Sequence, residues 1–186
     1  MKKMFFLICF CVANCHLLFS QENLVVFLTD AITDSVPVYR NDTDTICFTK
    51  IKEDFQKENW HDVEIMCMSN NRYKVRVIPL NETNAAIFEG WLNKEQCGVW
   101  LRGRNQGKGL FTVKLYAEPG QSNPITKLYG KEFDDFGKYT NGKAVPVLDF
   151  KLYQGHCWIK TRVVKNDNRT VGWTTDYCPN IYGSCN

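Results

Sequence analysis

The sequence predicts an all-β protein built from two small modules of similar plan. Short apolar segments ending in tyrosine occur at 36–39 and again at 113–116. Each is followed later in the chain by a Gly-Trp pair, at 90–91 and at 172–173. The two tyrosines are 77 residues apart and the two Gly-Trp pairs 82 residues apart, so the spacing agrees within the length of a loop. Repetition at one period indicates two copies of a single structural unit.

Apolar runs separated by polar turns predict the strands of the first half. These strands are expected at 24–28, 36–39, 63–68 and 73–78. The last two show period-two alternation or β-branched and aromatic enrichment, and Asn70-Asn71 provides a hairpin turn between them. The intervening charged stretch, 50–62, carries apolar Ile51 and Phe55 four residues apart, a spacing that also suits one or two helical turns.

The second half repeats this order. Strands are expected at 113–116, 145–150, 158–164 and 171–173. Gln154-Gly155 predicts a hairpin turn, and Asn166, Asp167 and Asn168 predict another. Residues 127–143 contain several glycines and form a long excursion between strands. The glycine-rich segment 103–109 marks the boundary, as a linker or hairpin, and lacks the Ser or Thr and the helix pattern of a phosphate-binding loop.

The start of the chain has the layout of a secretory signal peptide. Two lysines precede an almost wholly apolar run from 4 to 19, and cleavage is expected after Ser20. The run is shorter than the ~20 residues needed to cross a bilayer, so we expect no stable membrane anchor. Lipid attachment at Cys15 stays open. After cleavage, 21 basic residues face 20 acidic ones without a basic tract, which argues against nucleic acid as a partner.

Six cysteines remain after residue 20, and an even count in an exported chain predicts disulfides. The candidates are Cys47, Cys67, Cys97, Cys157, Cys178 and Cys185. Six cysteines allow 15 connectivities, and the sequence does not rank them. Because three lie in each half, either one bridge joins the halves or two thiols stay reduced. Zinc is the competing interpretation, but Cys-x-x-Cys pairs are absent and histidines are few, so no metal is expected.

These motifs resemble the bacterial Src-homology-3-like (SH3-like) domain found in exported bacterial proteins. The second half carries the resemblance best, through 113–116, Gly155, the segment 158–160 and the pair 172–173. In the first half Tyr73 stands where the family has tryptophan. The resemblance implies two partly open barrels in tandem, at 21–102 and 110–186, separated by the 103–109 segment. It also implies binding of a peptide, peptidoglycan or a protein partner.

In that family the binding groove lies between the long first loop and the aromatic strand. By position, the groove residues implied here are Trp60 and Tyr73 in the first half, and Tyr129 and Trp158 in the second. We therefore expect an exported binding protein that recognises peptide or peptidoglycan in aromatic grooves. The alternative is a periplasmic protein–protein antagonist, an immunity or inhibitor protein that binds one partner enzyme.

Catalysis is not expected. A thiol beside an imidazole can become a nucleophile, and His156 and Cys157 are neighbours in sequence. Adjacent residues of a strand point to opposite faces, however, so these two side chains would not meet. Asp42 with Asp44, and the acidic pair at 134–135, lie in turn-like segments where carboxylates are ordinarily solvated. No cofactor is expected.

Overall fold

The computed structural model describes residues 24–29, 34–53, 60–80, 87–132, 136, 139 and 144–178. These residues form fifteen β-strands and a 3-10 turn at Lys94–Gln96, with no α-helix among them. The prediction of an all-β protein is confirmed. The expected signal peptide, 1–20, lies outside the described residues. Within the described ranges, no helix has the length and apolar character needed to span a membrane.

The strands of the first half are β1 (Leu24–Leu28), β2 (Val36–Val38), β3 (Thr49–Ile51), β4 (His61–Met68), β5 (Arg72–Pro79), β6 (Phe88–Asn93) and β7 (Cys97–Leu101). Three of them, β4–β5–β6, form an antiparallel meander, and β1 pairs with β4 at its edge. Alternate residues of β5 are buried, at Tyr73, Val75 and Val77, so one face of the meander covers the core.

The second half contains the corresponding meander, β12–β13–β14. Its strands are β8 (Arg104–Asn105), β9 (Phe111–Leu115), β10 (Thr126–Gly130), β11 (Val145–Pro146), β12 (Asp149–Tyr153), β13 (His156–Lys165), β14 (Asn168–Thr174) and β15 (Tyr177–Cys178). Two-residue turns at Gln154-Gly155 and Asn166-Asp167 join the meander, and all four residues have positive φ. Positive φ at both central residues is the backbone of the tight hairpin turn that the sequence predicts here.

The repeated motifs make the same contacts in both halves. Tyr39 and Trp91 exchange two backbone hydrogen bonds of 2.9 and 2.8 Å, and Tyr116 and Trp173 exchange two of 2.8 Å. Each tyrosine follows a strand that pairs with the next one along the chain, β2 with β3 and β9 with β10. The sequence repeat therefore corresponds to a repeated pattern of strand pairing.

The glycine of each Gly-Trp pair allows two chain segments to approach closely. A Cβ at Gly90 would overlap Val38 Cγ1, and one at Gly172 would lie 3.0 Å from the Tyr116 carbonyl oxygen. Any larger residue would push β2 away from β6, or β9 away from β14. Glycine is needed at both places for close packing of backbone.

Strand β7 joins the two halves. It pairs antiparallel with β1 of its own half and with β11 and β15 of the other. The buried Tyr73 hydroxyl donates a 3.0 Å hydrogen bond to the Val147 carbonyl, and one hydrophobic cluster contains residues of both halves. The described sheets do not close into a barrel. The segment 103–109 contributes Arg104–Asn105 as β8, which pairs with β9.

The structure bears on both charged stretches. Residues Thr49–Ile51 form β3, and Phe55 lies outside the described residues, so the helical turns suggested there stay a prediction. The second excursion begins later than expected, because Thr126–Gly130 is strand β10, paired with β9 along its whole length. Leu128 and Gly130 of this strand are buried, which is the alternation of a half-buried strand.

The disulfide prediction is wrong for four of the six candidate cysteines. Cys47, Cys67, Cys97 and Cys157 are not disulfide-bonded, and no disulfide joins two of the described cysteines. Cys97 is fully buried, and burial raises the pKa of its thiol. Cys178 does not belong to this set, and Cys185 lies outside the described residues, so the disulfide prediction for these two stays a prediction.

Candidate functional site

A recess of about 110 Å³ opens at the surface of the second half. It lies where the β8 hairpin, the end of β9, the start of β13 and the turn between β14 and β15 meet. Its lining residues are Arg104, Gln106, Lys114, Tyr116, Trp158, Thr175 and Asp176. We call it the Tyr116–Trp158 recess. Four separate chain segments build it, so its composition depends on the fold and not on one motif.

The aromatic wall of the recess is an edge-to-face pair. The ring centroids of Tyr116 and Trp158 are 5.5 Å apart and the rings are inclined at 78°. Tyr116 is held at this place by its backbone bonds to Trp173. The indole nitrogen of Trp158 is buried and has no hydrogen-bond acceptor among the described residues. A buried N–H without an acceptor costs free energy, and a ligand acceptor would recover it if the Trp158 ring turned its N–H toward the recess.

The polar wall is an ion pair supported by backbone. The Asp176 carboxylate accepts a 2.9 Å hydrogen bond from the Lys114 backbone N–H and lies 2.5 Å from Nε of Arg104. Arg104 also donates a hydrogen bond of 2.8 Å to the Thr175 hydroxyl. Burial raises the pKa of Asp176, although the Lys114 N–H and the Arg104 guanidinium act in the opposite direction. The turn between β14 and β15 is thereby attached to the β8 hairpin.

The corresponding tyrosine of the first half, Tyr39, is covered by an arginine. The Arg72 guanidinium lies over the Tyr39 ring, 3.7 Å from its centroid. It donates hydrogen bonds of 3.0 and 2.7 Å to the carbonyls of Asn41 and Asp44, and one of 3.1 Å to Oδ1 of Asn93. The first-half tyrosine is therefore covered by a side chain of the protein itself.

The residue that corresponds to Trp158 is Arg72, and not Tyr73 as the sequence comparison assumes. Lys74 pairs with Trp91, and Lys160 pairs with Trp173, so the residue two positions earlier is Arg72 in one half and Trp158 in the other. Tyr73 corresponds to Ile159, and both side chains are fully buried. A displacement of one residue on a strand moves a side chain to the other face of the sheet.

The four predicted groove residues do not come together. Trp158 lines the recess, whereas Tyr73 lies in the core and offers no surface to a ligand. Tyr129 is 42% exposed on β10, with the Lys165 ammonium 5.8 Å from its ring centroid. Trp60 is half-buried, and its carbonyl accepts a hydrogen bond from the Leu80 backbone N–H.

Sequence reasoning missed most of the polar wall of this recess. The sequence repeat identifies Tyr116 as a recurring aromatic, but Arg104 lies in the predicted boundary segment 103–109 and Asp176 in a short turn. The position of Asp176, three residues after the Trp of the second Gly-Trp pair, was the available signal. The charges meet only because β15 returns to pair with β7 and brings the turn beside the β8 hairpin.

A second, broader groove of about 440 Å³ borders the 3-10 turn of the first half. Its lining residues are Asn71, Asn93, Lys94, Glu95, Gln96 and Leu148. The lining lacks aromatic side chains. Burial lowers the pKa of Lys94, whose ammonium lies 5.3 Å from the Tyr73 ring centroid. This groove offers less apolar contact for anchoring a ligand than the aromatic wall of the recess.

Among the candidates for catalysis or metal binding, the acidic pair at 134–135 lies outside the described residues. His156 is exposed at the start of β13, and burial raises the pKa of the neighbouring Cys157 thiol, which favours its unreactive protonated form. Among the described residues, no group of three or more His, Cys, Asp or Glu side chains is placed to hold a metal ion.

No family model matches the chain, and neither a curated protein nor a solved structure matches it. The features of the recess that bear on its function are the edge-to-face aromatic pair, the buried indole N–H without an acceptor among the described residues, and the cationic side chains in its lining.

Proposed function

We propose that this protein is an exported, non-enzymatic binding protein that holds a peptide or a peptidoglycan fragment in the Tyr116–Trp158 recess. The observation that carries the proposal is the buried Trp158 indole N–H, which has no acceptor among the described residues and belongs to a side chain that lines the recess. Export follows from the signal-peptide pattern of 1–20. The repeated strand pairing supports the interpretation of the chain as two SH3-like units.

A peptide-like ligand suits the chemistry of this recess. Tryptophan and tyrosine supply rigid apolar area together with a polar group, and for this reason they dominate the energetics of recognition sites. A peptide backbone carries regularly spaced carbonyl oxygens, each of which can accept the Trp158 N–H. Stem peptides of peptidoglycan have the same backbone groups. The recess therefore matches both sources of amide carbonyls.

A binding role without chemistry is supported by the protonation states around the recess. Burial raises the pKa of Tyr116, and the Asp176 carboxylate reinforces this effect, so the phenol is not a general base near neutral pH. The Asp176 carboxylate is paired with Arg104 and accepts the Lys114 backbone N–H, contacts that attach the turn between β14 and β15 to its neighbours and suit a structural role.

Retention on purified peptidoglycan sacculi tests the proposal. Wild-type protein should sediment with sacculi, and Trp158→Ala should lose most of this retention, because it removes both the aromatic wall and the indole donor. Tyr129→Ala is the matched control, since it removes an exposed aromatic outside the recess and should bind like wild type. Circular dichroism and thermal unfolding establish that each variant is folded.

The outcomes separate the possible roles. Equal loss of retention in both variants would place the binding surface elsewhere and overturn the recess as its site. Absence of retention for the wild type, together with one stoichiometric protein partner, would favour the antagonist alternative instead. Absence of both a wall ligand and a peptide ligand would overturn the proposal.

A further inference from the structure

We propose that the Tyr116–Trp158 recess selects ligands that carry a carboxylate, so that its natural ligand is an acidic peptide or a peptide with a free C-terminus. This inference rests on the proposed function and adds the chemical class of the ligand. It follows from the distribution of donors, acceptors and charges around the recess.

Nitrogen donors that can serve a ligand surround the recess. The Trp158 indole N–H is buried without an acceptor among the described residues, and Lys114 lines the recess and acts electrostatically on Asp176. The Arg104 side chain is 61% exposed. Its Nε contacts Asp176 and its Nη2 donates a hydrogen bond to Thr175, so Nη1 can donate to a ligand. Several N–H groups around one small volume favour an acceptor with two oxygens.

The acidic residue of the recess does not oppose a second carboxylate. Asp176 is 7% exposed, and its two oxygens are taken by Nε of Arg104 and by the Lys114 backbone N–H. Arg104 and Lys114 both act electrostatically on Asp176, so the two cationic side chains and the one carboxylate leave one net positive charge at the recess. A ligand carboxylate would complete this arrangement with charge-assisted hydrogen bonds, which are shorter and stronger than those between neutral groups.

The size of the recess agrees with a single functional group. Its volume of about 110 Å³ equals that of a few water molecules, at about 30 Å³ each in the liquid. A carboxylate and the few carbon atoms that carry it fill such a space. A peptide could therefore insert its terminal residue or one acidic side chain, while the rest of its chain lies along the Tyr116 and Trp158 rings.

The test uses four blocked alanine peptides and nuclear magnetic resonance of the 15N-labelled mature protein. The probes are acetyl-trialanine as the free acid, the same peptide as the C-terminal amide, and the amide with a central glutamate or a central glutamine. The free acid and the glutamate peptide distinguish a C-terminal carboxylate from a side-chain carboxylate. The reporter is the Trp158 indole N–H resonance, assigned by its loss in Trp158→Phe.

At least one carboxylate peptide should move the Trp158 resonance downfield in a saturable way, with a dissociation constant at least tenfold below that of its neutral counterpart. Lys114→Gln should raise the dissociation constant of this peptide about fivefold and reduce the dependence of binding on salt concentration. Lys50→Gln makes the same change of charge on the exposed face of β3 and should leave the affinity unchanged. Salt screens the attraction between exposed charges, which explains the second readout.

Each other outcome has a definite meaning. If neutral and carboxylate peptides move the Trp158 resonance with equal affinity, the selection for carboxylates is overturned and the recess remains a peptide-binding site. If Lys114→Gln and Lys50→Gln change the affinity for the carboxylate peptide equally, the charge of Lys114 does not select the carboxylate. If none of the four peptides moves the Trp158 resonance while the protein is still retained on sacculi, this inference fails and the wall-binding proposal stands.

Discussion

Tyr39 in the first half and Tyr116 in the second occupy the same place in the same arrangement of strands, but their rings meet different side chains. Each tyrosine is bonded through its backbone to the tryptophan of a Gly-Trp pair. Arg72 covers Tyr39, whereas Trp158 stands edge-on to Tyr116 and leaves a recess beside it. One residue on the neighbouring strand, Arg72 or Trp158, therefore decides whether the tyrosine ring is covered or borders a recess.

The loops that follow Tyr39 and Tyr116 contain equivalent turns but are attached to the protein differently. In the first, the Asp44 N–H donates to the Asn41 carbonyl at 3.4 Å, and in the second the Gln121 N–H donates to the Glu118 carbonyl at 3.5 Å. These turns lie at the same distance from their tyrosine in sequence. Arg72 binds both Asn41 and Asp44 carbonyls across the first ring.

The second loop is held from another side. Glu118 forms an ion pair with Lys151 of β12 at 3.7 Å, and the Tyr153 ring packs against Gly120. Gly120 has a positive φ, and a Cβ there would meet the Tyr153 ring, so glycine serves both the turn and the packing. Because these attachments come from β12, they do not cross the Tyr116 ring.

The largest expected effect in this comparison is that of Arg72→Ala. The variant removes the cation above Tyr39 and three hydrogen bonds, and should lower the free energy of unfolding by about 2–4 kcal/mol. Urea denaturation measures this change. Arg40→Ala is the control, because Arg40 is exposed and lies 5.7 Å from the Phe48 ring centroid, so its loss should cost less than about 1 kcal/mol. Similar losses in both variants would contradict a special role for Arg72.

Substitution of the two glycines gives the next largest effect. Gly90→Ala and Gly172→Ala should each destabilise the protein, by about 1–3 kcal/mol, because overpacking forces neighbouring atoms to move. The loss should be greater at Gly90, where the added methyl overlaps a fully buried valine, than at Gly172, where the nearest atoms are 3.0 Å away. Thermal unfolding of the two variants under identical conditions ranks them. The reverse order would mean that the two strand crossings are not packed as the structure indicates.

The smallest change in stability is expected for Trp158→Arg, which introduces the first-half arrangement into the second half. An arginine here could lie over Tyr116 and donate to the carbonyls of Glu118 and Gln121, so stability should change by less than about 1 kcal/mol. Amide hydrogen exchange in 117–125 should slow, because the loop gains an attachment across the ring. Retention on sacculi should fall as strongly as in Trp158→Ala. Full retention would show that the open recess is not the binding site.

Much of the fold could be predicted from local patterns. The hairpin turns at Gln154-Gly155 and Asn166-Asp167 occur where turn chemistry places them, because positive φ is a local property of those residues. The repeated Gly-Trp pairs indicated corresponding places in the two halves, and these places do make the same backbone contacts. The prediction that Trp158 binds a ligand stays a prediction, although this residue does line the recess.

The pairing of Tyr73 with Trp158 could not be settled from the sequence. Both are aromatic and both precede a strand with Arg, but the register shows that they lie one residue apart. Register depends on which backbone groups of β5 and β6 face each other, and this is a property of the assembled sheet. The state of the cysteines also depends on the tertiary structure, because an even number of cysteines in a sequence says nothing about whether two sulfur atoms approach within bonding distance.

The sequence by itself determined the strand content, the hairpin turns and the repetition of one plan, because these follow from side-chain periodicity and backbone preferences over a few neighbouring residues. Only the tertiary structure decided that Arg72 covers one tyrosine while Trp158 opens a recess at the other. It also decided that Arg104, Lys114 and Asp176 meet beside that recess. These contacts join residues up to 72 positions apart, from Arg104 to Asp176, and such distances are set by strand pairing across the fold.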